Sequence, residues 1–218
     1  IITQDGCHAL ERSSEHFSTR EGRRLMEETT RFSNKELDLL FVIDRSKSIS
    51  IRGWQNIINF IYSFLEHFTV SRHNTRIAVI TFSTNASIDI NDLEDGKENK
   101  CSLIQKFKKR LSIKIPFGYT STNEGLEKAI EVLYKSRFSA KKVVIVMTDG
   151  RSNLGPPPIR ASLEMRSLRW NLEIFGFGVN NVDMMELKSI ASPLPNHTFH
   201  IQHFSQFQQM AKSLHRGK

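Results

Sequence analysis

Cysteine is scarce in this chain: Cys7 and Cys101 are the only two among 218 residues. Two cysteines cannot form the framework of a disulfide-stapled miniprotein, and with no C-x-x-C pair they argue against a zinc or dithiol redox site. One Cys7–Cys101 disulfide, tying the N-terminal segment to the body of the chain, and two unrelated thiols both remain open readings. Proline and glycine are also sparse, at 6 and 11 residues, which excludes collagen-like and low-complexity character. No apolar run approaches the roughly 20 residues needed to cross a bilayer; the longest, Leu39–Ile43 and Val143–Met147, have the length of buried strands. The chain begins at Ile1 and shows no charged n-region followed by an apolar h-region, so it reads as a processed chain or an excerpt.

Apolar residues make up 39% and charged residues 25%, an ordinary globular mix. The formal net charge is +8, which suits sulfated glycans, anionic membrane surfaces, nucleic acid or acidic proteins without choosing among them. Residues 1–36 are polar and read as an extension, with a helix expected over Thr19–Phe32. From Leu37 the pattern alternates apolar strands with amphipathic helices. Strands are expected at Leu37–Ile43, Arg76–Phe82, Ala86–Ile90, Lys142–Thr148, Leu172–Val179 and Thr198–Ile201. Helices are expected at Trp54–Phe68, Leu103–Leu111, Asn123–Tyr134, Ile159–Trp170, Asp183–Ile190 and Phe204–Leu214. This order predicts a doubly wound, Rossmann-like α/β domain over residues 37–215. It would have helices on both faces of a mostly parallel six-stranded sheet, with Ala86–Ile90 as one antiparallel edge strand. In such a sheet ligands bind beyond the carboxyl ends of the strands, where Asp44 and Asp149 fall.

Three segments at strand or loop ends carry small oxygen-bearing side chains: Asp44-Arg45-Ser46-Lys47-Ser48, Gly118-Tyr119-Thr120-Ser121-Thr122 and Thr148-Asp149-Gly150. Hydroxyls and carboxylates without imidazole or thiolate make a hard, all-oxygen donor set that suits Mg²⁺, Mn²⁺ or Ca²⁺ and disfavours zinc. Neutral hydroxyl ligands would leave the cation electrophilic toward an added anion. Alone, Asp44 reads as a strand-end turn residue, and Thr122 as the cap of the following helix.

Together, D-x-S-x-S, the downstream Gly-x-Thr and the strand ending in T-D-G resemble the metal-ion-dependent adhesion site of a von Willebrand factor A domain, over Glu36 to about Leu214. The runs Asp149-Gly150-Arg151-Ser152-Asn153, Pro156-Pro157-Pro158-Ile159 and Phe175-Gly176-Phe177-Gly178-Val179 look most like the A domain of polydom-type proteins, secreted chains with sushi, EGF and pentraxin modules. The resemblance implies that Ser46 and Ser48 coordinate a divalent cation directly. Thr120 would do so directly or through water, and Asp44 and Asp149 mainly through water. It implies an extracellular adhesion module whose cation accepts an Asp or Glu from a protein partner. The sequence departs from the family pattern at Arg45 and Lys47, where small or acidic residues are commoner. Two cations there would either weaken metal binding or favour an acidic ligand, and do little of either if they point into solvent.

Other features have blander readings. His197, His200 and His203 recur every third residue on an expected strand, where such steps alternate faces, so scattered histidines are expected rather than a metal cluster. Lys106, Lys108, Lys109 and Arg110, and Arg160, Arg166 and Arg169, read first as solvated helix faces and second as a polyanion patch. That second reading supports an alternative function, metal-independent binding of heparan sulfate or another matrix polyanion. No nucleic-acid motif accompanies the charge. Asn85 and Asn196 head N-x-[ST] sequons, weak signs of secretion and N-glycosylation. A nucleophile elbow and a Walker A loop are lacking, and Gly176-Phe177-Gly178 lacks the third glycine of a dinucleotide fingerprint. Hydrolysis through Asp44 as an aspartyl nucleophile is the weakest alternative, and a non-enzymatic binding role is expected.

Overall fold

Eight residues from Leu37 to Asp44 form strand β1, every one of them buried. The computed structural model describes residues 24, 27, 28, 31, 36–168 and 171–214, with side chains as far as residue 209. Cys7 and most of the expected Thr19–Phe32 helix therefore lie outside the described residues; Arg24, Glu27 and Glu28, which are described, are helical. The remaining strands are β2 (Thr75–Phe82), β3 (Ala86–Asn91), β4 (Lys141–Thr148), β5 (Leu172–Val179) and β6 (Thr198–Ile201). The helices are α1 (Ile51–Leu65), α2 (Lys100–Arg110), α3 (Thr122–Tyr134), α4 (Ile159–Ser167), α5 (Met184–Ile190) and α6 (Ser205–Leu214).

The six strands form one sheet in the order β3-β2-β1-β4-β5-β6. All neighbours run parallel except β2 and β3, whose antiparallel ladder shifts register between Val79 and Ile80. A fully buried parallel sheet needs strands that are apolar on both faces. In β1, Leu37, Leu39, Phe41 and Ile43 face a layer with Trp54, Ile57, Ile61 and Phe64 of α1, Phe107 of α2 and Phe207 of α6. Leu40 and Val42 face the other layer, with Leu126, Ala129 and Leu133 of α3, Met165 of α4 and Ile190 of α5. Chain order reverses between β1 and β4, so the switch-point crevice opens where Asp44 and Thr148 end their strands.

The expected strands are found within a residue or two of their bounds. Helix ends differ more, because apolar spacing marks the buried face and not the cap. α1 starts a turn earlier than expected, where the Ser50 hydroxyl accepts from the Gly53 amide. Thr122 is not a cap as expected: Ser121 stands in the cap position without a side-chain bond, and Thr122 is the first helical residue. α4 ends at Ser167, and Arg169 and Trp170 lie outside the described residues. α3 lies hard against the sheet at Gly125, where a Cβ would come within 2.7 Å of Phe82 Cδ1 and 3.0 Å of Val42 Cγ1. That close approach brings the start of α3, and Thr120 before it, up to the carboxyl ends of β1 and β2.

Candidate metal centre

Asp44 closes β1 and is fully buried. Its carboxylate accepts from the Ser46 amide at 2.8 Å and from the Thr148 hydroxyl at 2.7 Å. Among the described residues no Lys, Arg or His pairs with it. Burial pushes its pKa up to about 6, against the two hydrogen bonds and helped by the charge of Asp149. Asp149, just past β4, is likewise raised by burial, with the Ser48 hydrogen bond opposing. Asp38 on the same strand makes the contrast. It is equally buried, but Arg137 grips it through Nη2 at 2.6 Å and Nε at 2.9 Å. A buried carboxylate normally has such a partner. At Asp44 and Asp149 two anions share one crevice, and among the described residues their partners are hydroxyls and amides.

The two serines complete a directed chain. Ser48 Oγ donates to Asp149 Oδ1 at 2.7 Å, so the hydrogen between Ser46 Oγ and Ser48 Oγ, 2.9 Å apart, comes from Ser46. Octahedral Mg²⁺ with oxygens at 2.0–2.1 Å has neighbouring ligand atoms about 2.9 Å apart, and the serine separation matches that edge. Thr120 is buried, yet its hydroxyl has no partner among the described residues. Its backbone is clasped instead. The Thr120 amide donates to Asn153 Oδ1 at 2.9 Å, and the Asn153 amide donates back to the Thr120 carbonyl at 2.9 Å. Asn153 carried no expectation of its own, although it lies in the quoted run after Asp149. Nor did Glu186, which accepts from the Ser152 amide at 2.8 Å and fastens the same loop to α5. Uncompensated anions, an open hydroxyl and a matching oxygen spacing all fit a hard divalent cation.

The loops also answer the question raised by Arg45 and Lys47. The Phe117 amide donates to the Arg45 carbonyl at 3.0 Å, and the Lys47 amide donates to the Gly118 carbonyl at 3.1 Å. Arg45 lies over the Phe117 ring at 4.4 Å and Lys47 over the Tyr119 ring at 5.3 Å. Arg45 Nη1 also donates to the Ile115 carbonyl at 2.9 Å. Both cations are held on the neighbouring loop by rings and a carbonyl, so neither serves as the counter-ion of Asp44 or Asp149. Gly118 makes the turn between the two rings at φ +84, a left-handed conformation, with Thr84 Oγ1 2.6 Å from where a Cβ would stand.

The histidines do not converge. His197 is buried, stacked on Phe175 and bonded to Glu173 Oε2 at 2.9 Å; His200 reaches the Asn180 carbonyl at 2.8 Å. Among the described residues no three His, Cys, Asp or Glu side chains gather as a metal cluster. In α2, Lys106, Lys108, Lys109 and Arg110 are all exposed; Lys106 pairs with Glu98 and Arg110 donates to the Asp89 carbonyl at 2.7 Å, which leaves Lys108 and Lys109 without such a bond among the described residues. Arg166 is likewise spent on the Ala191 and Ser189 carbonyls. Asn85 is exposed in the β2–β3 turn; Asn196 is exposed in a left-handed turn, where Arg24 and Glu28 engage its amide. Cys101 lies in the first turn of α2. No helix among the described residues is long and apolar enough to cross a membrane.

Comparison with known proteins places the fold in a family. The chain is 32% identical over 182 residues to the sushi, von Willebrand factor type A, EGF and pentraxin domain-containing protein 1 of Mus musculus, covering 81% of this chain and 5% of that protein. It is 29% identical over 185 residues to matrilin-1 of Gallus gallus, covering 81% of this chain and 36% of that one. The chain thus spans a small part of the relatives it matches. Proximal thread matrix protein 1 of the mussel byssus, solved with zinc in its MIDAS motif, superposes with a TM-score of 0.71 at 28% identity, over 83% of this chain and 45% of that one. The manganese-loaded TRAP protein of Plasmodium vivax, at 19% identity and a TM-score of 0.65, shares the fold. The profile of the von Willebrand factor type A domain matches residues 38–213, and the chain belongs to that family.

Proposed function

We propose that this domain is an extracellular binding module that captures an acidic side chain of a partner protein through a divalent cation, Mg²⁺ in the first instance. The observation that carries the reading is the pair of buried carboxylates, Asp44 and Asp149, with hydroxyls and, among the described residues, no basic side chain as partners. When bound, the cation supplies positive charge and an open position for a carboxylate oxygen. Ser46 and Ser48 would hold it directly, with Thr120 on the third side. Asp44 and Asp149 would neutralise it while orienting Ser46 and Ser48. Neutral direct ligands keep the cation a strong acceptor for the partner's carboxylate. Zinc in the motif of the mussel relative supports divalent-cation binding, and Mn²⁺ or Ca²⁺ would suit the same hard donors. The kinship with adhesion and matrix proteins supports the extracellular setting. A binding role is preferred to hydrolysis because the hydroxyls beside Asp44 already point at oxygens of the cation site. The Cys7–Cys101 bond and sugars on Asn85 and Asn196 belong to the same extracellular reading.

Calorimetric titration of Mg²⁺ and Mn²⁺ into the EDTA-stripped chain tests the proposal. Saturable one-site binding is expected for the wild type and none for Asp149→Ala. A wild type that binds neither ion sinks it, and the exposed Lys108 and Lys109 would then direct attention to polyanions.

A further inference from the structure

The segment from Ile113 to Tyr119 is built inside out. Ile113, Ile115, Phe117 and Tyr119 are 75, 65, 56 and 56% exposed. Between them Lys114 turns inward: it is tucked against Asp89 at 2.5 Å and donates to Thr81 and Ser87 at 2.9 and 3.0 Å, while Pro116 and Gly118 are half-buried. Water-facing segments normally alternate the other way, and contiguous apolar side chains left in solvent mark interaction surfaces. The strip is not a loose loop. It is pinned to the Arg45–Lys47 turn by the two backbone hydrogen bonds described above and to Thr84 by the Tyr119 amide at 3.1 Å. Its last residue precedes Thr120, so it runs directly into the rim of the candidate metal centre. Arg45 and Lys47 lie on its two rings and add positive charge along it. Aromatic anchors with adjoining cations are the side chains that dominate binding energy at protein interfaces.

We propose that this strip is the specificity surface for the partner, and that the occupant is an acidic, aromatic-bearing peptide segment of another protein. One of its carboxylates reaches the cation; neighbouring apolar side chains cover Ile115, Phe117 and Tyr119; a second acidic residue meets Arg45 or Lys47. The inference rests on the metal reading above and assigns the ligand class for that site. Charge complementarity selects an acidic segment, and the apolar strip favours a peptide with large apolar side chains over a sulfated glycan, whose surface is mostly hydroxyl and sulfate. Arg45 and Lys47, which the sequence left as either a hindrance or an aid, become part of ligand recognition.

The test is a random 12-residue peptide library displayed on phage, panned on the whole chain in Mg²⁺ and eluted with EDTA. The expected pool is enriched in Asp or Glu flanked by Phe, Trp or Leu. A synthetic peptide from it should bind the Phe117→Ser/Tyr119→Ser variant at least about tenfold more weakly, while that variant's calorimetric Mg²⁺ affinity and melting curve match wild type; Lys47→Glu should lose peptide affinity similarly although it does not weaken Mg²⁺ binding. Unchanged peptide affinity in these variants overturns the proposal. So does an EDTA-eluted pool without apolar residues, or an empty one from a chain that binds Mg²⁺; in either case the metal reading stands. Heparin binding that disappears in Lys47→Glu, with no peptide selected, would reassign the strip to polyanions. A wild-type chain that binds no Mg²⁺ fails both readings together.

Discussion

Asp38 and Asp44 stand on one strand, both fully buried, and differ in what neutralises them. Arg137 neutralises Asp38, whereas Asp44 has hydrogen bonds alone. The pKa of about 6 at Asp44 lies above the ordinary value of an unfolded aspartate. Its proton therefore stabilises the metal-free fold. That contribution is complete below about pH 4 and lost as pH rises through about 6, and is worth roughly 3 kcal/mol at most. Metal binding has the opposite slope, because it needs the carboxylate. Mg²⁺ affinity is expected to fall as pH drops below about 6, and metal-free stability to rise over the same range. Asp44→Asn should abolish metal binding and flatten that stability profile, while its amide can still accept from Ser46 and donate to Thr148. Melting curves and calorimetry at several pH values, with and without EDTA, read both effects. A metal affinity indifferent to pH between 5 and 7 would show that Asp44 takes no part.

At the scale of elements, the site is three loops held in register by backbone bonds. Asn153 clasps Thr120 in both directions, so Asn153→Ala should loosen the Thr120 loop without removing a cation ligand. Loss of such an outer partner typically weakens metal binding about 10–100-fold. Titration calorimetry should show that loss, with the fold intact by circular dichroism. Helix α3 offers a test of packing. Alanine in place of a helical glycine would ordinarily gain about 1 kcal/mol. At Gly125 the new methyl would meet Phe82 at 2.7 Å and Val42 at 3.0 Å, in a layer with no room to yield. Overpacking costs roughly 1–3 kcal/mol and should win, so Gly125→Ala is expected to be destabilising by chemical denaturation. A neutral or stabilised variant would mean that α3 can slide away from the sheet.

For the whole molecule, a cation at the switch point would join β1, β4 and the loop before α3, which are far apart in sequence. An ion that binds only the folded chain stabilises it by mass action, about 2.7 kcal/mol at a hundredfold excess over Kd. For a domain of this size that is a rise of roughly 5–10 °C in melting temperature. Mg²⁺ should produce such a rise, EDTA should reverse it, and Asp149→Ala should show none. The effect should be larger at pH 7 than at pH 5, since fewer Asp44 side chains must first lose a proton. An equal shift in Asp149→Ala would place the stabilising ion elsewhere.

The order of strands and helices, the antiparallel edge and the family could all be read from the chain, because periodicity and apolar run length follow from which residues must leave water. The candidate oxygen donors could be picked out too: Asp44, Ser46 and Ser48 lie within one turn, and Thr120 and Asp149 follow recognisable signals. Tertiary structure alone decided the rest. No spacing rule says that Arg45 and Lys47 would lie on Phe117 and Tyr119, since each pair is about 72 residues apart and meets because two loops exchange backbone hydrogen bonds. The clasp of Asn153 on Thr120 joins loops from different crossovers. The inverted face of residues 113–119 became visible only when Lys114 was found turned inward to Asp89 and its apolar neighbours outward. Local sequence settles what each segment wants to bury, and the packing of distant segments settles where its charged side chains finally point.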